Sequence, residues 1–287
     1  MTKPIPGPVP NPKPPRRKAP PGACDCHYHI FGPAGRYPYS PARGYTPPDC
    51  LVEDFRRMQE TLGIERSVIV QPSVYGTDNR CSIDAVERLG LDRTRGVAVI
   101  DDRTGDAELD RMARAGFRGA RFNLVSKGAL PLDLLEPTAK RLAERGWHLQ
   151  VFVNGDVLPE LAPRLRALPT EVVIDHMGHA DGDKGVDQPG LRTLRDLLGT
   201  GRFWVKLSGA YRIDHGPAPW PRAAPIAKAL IAANPERCVW GTDWPHPDLH
   251  GPMPDDGDLL DALYDWAPDE TTLRRILVDN PARLYGF

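Results

Sequence analysis

The sequence predicts an α/β fold, a single and distorted (β/α)8 barrel of the TIM type that follows a proline-rich N-terminal arm. Short β-branched or apolar runs alternate with segments of helical periodicity, and parallel neighbouring strands need such crossovers. Eight runs within about 265 residues fit a closed barrel better than an open doubly wound sheet. No Gly-x-Gly-x-x-Gly follows the first run, which disfavours a dinucleotide-binding fold.

The arm comprises residues 1–22, and the barrel comprises residues 23–287. Nine prolines and five basic residues fall within the arm. Because proline fixes φ and lacks an N–H donor, the arm is predicted to be extended or disordered. It could dock on a neighbouring subunit or lie on its own barrel.

Within the barrel, the sequence predicts eight strands and a set of helices in order. The predicted strands are 23–29, 67–71, 96–100, 117–122, 148–153, 171–176, 203–207 and 237–242. Helical periodicity is found over 51–62, 82–89, 107–115, 132–145 and 191–198. A last helix near 271–277 precedes a C-terminal segment, 280–287, that we expect to close the barrel.

Composition limits the classes of partner and compartment. With 40% hydrophobic residues, 26% charged residues and a net charge of −1, the chain gives no electrostatic reason to expect nucleic acid or a membrane. No apolar run approaches the roughly 18 residues of a membrane span. Five scattered cysteines without a CxxC pair favour a reduced, cytoplasmic setting. A homo-oligomer is compatible with the sequence.

Two motifs at opposite ends of the chain point to one site. His27 and His29 lie one residue apart on the first strand, and strand alternation sends both to the same face. Asp243 follows the last strand, in Gly-Thr-Asp-Trp-Pro-His-Pro. Active sites of such barrels lie at the C-terminal ends of the strands. Other polar residues at predicted strand ends are Gln71, Ser73, Arg121, Asn123, Lys127, Asn154, Asp175, His176, Lys206, Ser208 and Arg212.

Each candidate also has a structural interpretation. Asp243 could cap a turn, His176 could be a core histidine, and Arg121 could pair with a barrel carboxylate. The other histidines divide into two groups. His179 and His246 are expected to be structural or to lie behind the site. We expect His148, His215 and His250 to lie at the surface.

Several segments together resemble the amidohydrolase superfamily, of the amidohydrolase 2 type, and within it the 2-pyrone-4,6-dicarboxylate lactonase branch. They are 22–32, 45–47, 70–73, 76–79, 119–123, 173–178, 240–247 and 280–285. The resemblance covers nearly the whole chain beyond residue 20. It implies a lactone hydrolase of aromatic or sugar-acid catabolism that acts on a small carboxylated lactone.

The resemblance also implies roles for individual residues. Asp243 would be the general base on water, and His27, His29 and His176 would surround and polarise the lactone carbonyl. The substrate would be bound by arginines that pair with its carboxylates and by neighbouring polar groups. This set comprises Arg121, Arg212, Tyr45, Lys127, Ser73 and Asn123. Lys127 and Phe152 depart from the pattern of the branch and leave room for another acidic lactone.

No metal cofactor is expected. Binuclear members of the superfamily place a bridging lysine or glutamate on strand four and a histidine on strand five. Here Arg121 and Phe152 stand in those strands. The alternative is one Zn²⁺ held by His27, His29, His176 and Asp243, whose ligand types suit that ion.

Two other kinds of function stay open at this point. A lactone isomerase or a metal-dependent decarboxylase could use the same strand ends. A non-catalytic binding barrel is the third kind, and the intact histidine–aspartate set argues against it.

Overall fold

The computed structural model describes residues 2–125 and 130–287. It confirms the predicted barrel, because eight parallel strands pair in chain order. They are β1 Cys24–Tyr28, β2 Arg66–Val70, β3 Thr94–Ala98, β4 Phe117–Asn123, β5 His148–Phe152, β6 Val172–Ile174, β7 Phe203–Leu207 and β8 Cys238–Trp240. Backbone hydrogen bonds of 2.7 Å join β1 to the chain just after β8, from the Asp243 N–H to the His27 carbonyl and from the His29 N–H to the Trp244 carbonyl.

Helices cover the outside of the sheet. They are α1 Val52–Leu62, α2 Arg80–Leu89, α3 Asp106–Arg114, α4 Leu135–Ala143, α5 Leu158–Ala167, α6 Pro189–Gly199, α7 Ala210–Asp214, α8 Ala223–Ala233, α9 Asp256–Trp266, α10 Glu270–Arg274 and α11 Asn280–Tyr285, with a π-helical turn at Arg275–Asp279. Apolar positions at helical spacing explain how they pack. In α1, for example, Val52, Phe55, Met58 and Leu62 are buried.

The helices α5, α7, α8 and α9 are not among the predicted segments. Pro163 lies inside α5, where proline normally disfavours a helix. In α8, Lys228 is the one charged residue of an alanine-rich run, so no polar face marks a helical period. The third strand also begins and ends two residues earlier than predicted, at Thr94 and Ala98.

A second apolar cluster fills the lower barrel interior, and the C-terminal segment closes it. Tyr285 is fully buried there beside Trp204. The prediction that His148 lies at the surface is wrong, since it is 3% exposed and its ring lies 5.3 Å from that of Tyr285. His148 begins β5 and points inward, opposite Gly119, where a Cβ would come within 2.5 Å of the imidazole. His215 and His250 are exposed, as predicted.

The proline-rich arm packs along its own barrel. Its Ile5 N–H donates to the Thr46 carbonyl at 3.0 Å. Arg16 bonds to Asp261 and Asp265 of α9. Such exposed ion pairs contribute little individually, about 0–1 kcal/mol each. Among the described residues, no helix is long and apolar enough to cross a membrane.

Candidate active site

The C-terminal end of β1 brings His27 and His29 to the upper barrel interior. The register of β1 against β2 shifts between Asp25 and Tyr28, which interrupts strict alternation. The rings of His27 and His29 lie 5.0 Å apart. His176, immediately after β6, brings a third imidazole to 4.5 Å from His27.

Asp243 lies opposite these three imidazoles. Its Oδ1 is 3.7 Å from His27 Nε2, 3.5 Å from His29 Nε2 and 3.9 Å from His176 Nε2. The atom is buried, and among the described residues it has no hydrogen-bond partner. Asp243 and His176 also have left-handed backbones, with φ of 64° and 48°. Such strain in non-glycine residues is concentrated at functional sites.

The other carboxylate oxygen of Asp243 is held firmly. Oδ2 accepts hydrogen bonds from the Tyr211 hydroxyl at 2.6 Å and from Arg212 Nε at 2.8 Å. Burial alone would raise the pKa of Asp243, but the charge of Arg212 and the neighbouring imidazoles together outweigh burial and hold that pKa well below its usual range. Asp243 is therefore ionised at neutral pH, with one oxygen anchored and the other available.

The three histidines have different partners on Nδ1. His29 Nδ1 lies 2.7 Å from the Val70 carbonyl, which can only accept, so this nitrogen carries the proton. His176 Nδ1 is 2.8 Å from the Ser208 hydroxyl, and His27 Nδ1 is 3.3 Å from Lys206 Nζ. Burial lowers the pKa of all three imidazoles, that of His27 to about 3. They are neutral at neutral pH.

A buried polar layer lies beneath the histidines. Arg121 Nε donates to Asp175 Oδ2 at 2.8 Å, so the arginine does pair with a barrel carboxylate. Gln150 Nε2 donates to the same oxygen at 3.0 Å. Lys206 donates to Gln150 Oε1 at 2.7 Å. Burial lowers the pKa of Lys206 to about 8, which leaves it an ammonium at neutral pH.

Sequence reasoning assigned no role to Asp175, Gln150, Lys206 or Tyr211. Asp175 and Lys206 were recognisable only as polar residues at strand ends. Gln150 lies in the middle of β5, and Tyr211 lies on the short helix α7 that follows β7. Their importance becomes visible only in three dimensions.

A cavity of about 150 Å³ opens above Asp243. The residues lining it are His29, Tyr45, Pro72, Ser73, Arg121, Val125, Phe152, His176, His179, Arg212, Asp243, Pro247 and Asp248. His27 is fully buried beneath it, and Asn123 accepts a hydrogen bond from the Val125 N–H. His179, expected to lie behind the site, reaches the cavity with a buried Nε2 that has no partner among the described residues. Lys127 lies outside the described residues.

The donor atoms of His27, His29 and Asp243 lie within 4.8 Å of one another, a spacing that is compatible with one zinc ion. Tetrahedral ligands at zinc–nitrogen and zinc–oxygen distances of about 2.1 Å lie roughly 3.4 Å apart. The distances from Asp243 Oδ1 to the three Nε2 atoms, 3.5–3.9 Å, are close to this. Buried Asp243 Oδ1 and His27 Nε2, without partners among the described residues, also fit a ligand set.

Two features define the class of the protein. They are the (β/α)8 barrel and the histidine–aspartate set at the C-terminal ends of its strands. The amidohydrolase family model matches residues 24–287, and the chain belongs to that family. A 4-sulfomuconolactone hydrolase of Hydrogenophaga intermedia is 40% identical, covering 98% of this chain and 94% of its own. A 2-pyrone-4,6-dicarboxylate hydrolase of Comamonas testosteroni is also 40% identical, with 96% and 93% covered.

A solved structure shows the same architecture. It is a probable 2-pyrone-4,6-dicarboxylic acid hydrolase from Acinetobacter baumannii with citric acid bound. It is 28% identical, with a TM-score of 0.81, and the match covers 93% of this chain and all of that one. The predicted family is confirmed.

Proposed function

We propose that this protein hydrolyses the ring ester of a lactone that carries an acidic group, in aromatic or sugar-acid catabolism. The observation that carries the proposal is the ionised Asp243, whose Oδ1, without a hydrogen-bond partner in the described part of the chain, faces three neutral imidazoles at the floor of a cavity. The two hydrolases at 40% identity support the reaction, because both names denote lactones with carboxylate or sulfonate groups. The free cysteines support a cytoplasmic setting.

Asp243 serves as the general base. Water in the cavity donates one hydrogen to Asp243 Oδ1 and the other to His29 Nε2, which accepts because Nδ1 donates to Val70. As the water oxygen attacks the carbonyl carbon, Asp243 takes its proton. The ring C–O bond then breaks, and the proton passes to the leaving ring oxygen. One water is added to the substrate.

The remaining groups stabilise and orient the reactants. His176 lines the cavity, and with its Nδ1 accepting from the Ser208 hydroxyl its Nε2–H donates to the carbonyl oxygen as negative charge develops. Arg121, Tyr45 and Ser73 lie on the cavity wall and bind the acidic group. Among described residues, the two terminal nitrogens of Arg121 make no hydrogen bond to protein and are available for it.

We propose that this chemistry needs no metal, because Asp243 is already ionised and hydrogen-bonded. The second candidate is a one-zinc enzyme, favoured by the spacing of the donor atoms of His27, His29 and Asp243. In that case His27, His29, His176 and Asp243 would hold the ion, which would supply Lewis acidity to the carbonyl and lower the pKa of water.

A lactone panel tests the proposal. Acidic lactones, including 2-pyrone-4,6-dicarboxylate and a sulfonated muconolactone, should be hydrolysed far faster than neutral lactones of the same ring size. Mass spectrometry should show the gain of one water. A product of unchanged mass would indicate an isomerase instead, and loss of carbon dioxide a decarboxylase.

The variant Asp243→Asn tests the base. Asparagine tolerates the left-handed backbone at this position, so the fold should persist. Turnover should fall roughly 10²–10⁴-fold, the usual scale for loss of a general base. Asp102→Asn, the same change at an exposed position, is the control. Retention of more than about a tenth of wild-type turnover would exclude Asp243 as the base.

A further inference from the structure

We propose that Lys206 is a positioning residue that fixes neutral His27 in the tautomer with its proton on Nε2. The consequence is that His27 presents an N–H, not a lone pair, where a metal ion would bind, which weakens metal binding although the position of His27 would suit it. This inference rests on the proposed function for its catalytic meaning. Its structural content, the position of one proton, can be measured without any substrate.

The hydrogen-bonding capacity of lysine carries the argument. Lys206 is fully buried in β7. Its Nζ lies 2.7 Å from Gln150 Oε1, 3.3 Å from His27 Nδ1 and 3.7 Å from Asp175 Oδ1. An ammonium has three donors and no lone pair, so any hydrogen bond between Lys206 and His27 must be accepted by Nδ1. A neutral imidazole that accepts at Nδ1 carries its proton on Nε2.

The opposite tautomer would need a donor bond from His27 Nδ1 to Asp175. That is the arrangement usual for metal-ligating histidines, whose second nitrogen donates to a carboxylate or a carbonyl. Asp175 Oδ1 lies 3.4 Å from His27 Nδ1. Yet among the described residues this oxygen has no hydrogen-bond partner. The contact of His27 Nδ1 with Lys206 Nζ does meet hydrogen-bond geometry.

His27 of β1 and His29, immediately after β1, therefore have opposite tautomers. His29 has its proton on Nδ1, bound to the Val70 carbonyl, and presents a lone pair on Nε2. His27 presents an N–H on Nε2, 3.7 Å from the anionic Oδ1 of Asp243. An N–H in this place stabilises the carboxylate and opposes binding of a cation. The spacing of the donor atoms thus favours the zinc alternative, whereas the proton on His27 Nε2 opposes it.

The first experiment measures the wild-type tautomers. Two-bond ¹H–¹⁵N spectra of protein labelled with [¹⁵N]histidine, without substrate and with chelator, distinguish the two neutral forms. The His27 signal is assigned by its disappearance in His27→Gln. We expect the proton on Nε2 for His27 and on Nδ1 for His29. A proton on Nδ1 of His27 would overturn the proposal, whatever any variant does.

The second experiment removes the donor. Lys206→Met should move the His27 proton to Nδ1, and zinc titration by calorimetry should show at least a tenfold gain in affinity over wild type. Metal-free kcat should fall roughly 10²–10⁴-fold, on the scale seen when a histidine is left in the wrong tautomer. Lys184→Met, which removes an exposed lysine, is the control and should change nothing.

The outcomes separate this inference from the proposed function. Unchanged tautomer and unchanged zinc affinity in folded Lys206→Met would overturn the role of Lys206 even if lactones are hydrolysed. If no lactone is hydrolysed while the wild-type tautomers are as expected, the proposed function fails and the assignment of Lys206 stands. If Lys206→Met does not fold, the wild-type spectra decide the question alone.

Discussion

Removal of Arg212 should impair the base as well as substrate binding. In the structure, Arg212 Nε and Nη2 both lie 2.8 Å from Asp243 Oδ2, and Nη2 also donates to the Pro247 carbonyl. Arg212→Met leaves a buried carboxylate without its main counter-charge. A neighbouring opposite charge typically shifts the pKa of a carboxyl by 1–3 units, so the pKa of Asp243 should rise by about that much.

The assay is the pH profile of kcat/KM. Because activity requires ionised Asp243, its acid limb should move to higher pH by roughly 1–3 units in Arg212→Met. Loss of one partner of a buried ion pair also costs stability, about 3–5 kcal/mol, so rates are measured well below the melting temperature. Arg212→Lys should restore the acid limb only partly, because an ammonium cannot make the forked contact. Arg164→Met, at a partly exposed arginine paired with Glu136, is the control.

The comparison between substrates decides between two roles. If Arg212 only binds the acidic group of the substrate, its loss should not change the turnover of neutral lactones. The acid limb of the kcat/KM profile should then stay in place. If it holds the base, acidic and neutral lactones should both lose turnover. An unmoved acid limb in a folded variant would refute the reasoning from the ion pair.

Three further predictions follow from the structure. Arg121→Met should raise KM for acidic lactones about 10–150-fold, the value of one charge-assisted contact, and should leave neutral lactones nearly unchanged; equal effects on both would contradict substrate recognition. Exhaustive chelation should leave activity intact, whereas reproducible loss restored by one equivalent of zinc would support the metal alternative. Burial lowers the pKa of His148 in the folded protein to about 3. As the pH falls below about 6.5, the imidazole of His148 is therefore protonated in the unfolded chain while it stays neutral in the folded protein. Unfolding free energy should drop about 2 kcal/mol more between pH 8 and pH 5 in wild type than in His148→Leu; parallel denaturation curves would contradict this.

Much of the fold was predictable because it depends on local patterns. Apolar runs and helical periods set the eight strands and half of the helices, and the pairing order of a parallel barrel follows from chain order. The rest was hidden for specific reasons. Pro163 lies inside α5 and made a helix there hard to predict, and α8 is so apolar that its sequence shows no helical period. His148 was misplaced because its burial depends on the missing side chain of Gly119 on the neighbouring strand.

The candidate site was predictable in its position and less so in its pairings. His27, His29, His176 and Asp243 do converge, because all of them follow or end strands of one barrel. The sequence could not show which nitrogen of each histidine is engaged. That depends on the Val70 carbonyl, on the Ser208 hydroxyl and on Lys206, which lie on other strands or after them.

The two arginines illustrate why pairings matter for function. Both were predicted to bind the substrate, and both line the cavity. Arg212 has committed two of its three nitrogens to Asp243 and Pro247. Among the residues that the structure describes, Arg121 hydrogen-bonds to protein only through Nε, to Asp175, and its guanidinium faces the cavity beside Phe152, whose ring lies 4.5 Å away. A forked contact with a carboxylate or a sulfonate needs two free N–H donors on one edge of the guanidinium. Arg121 meets this requirement and Arg212 does not, so loss of Arg121 should act mainly on KM and loss of Arg212 mainly on kcat.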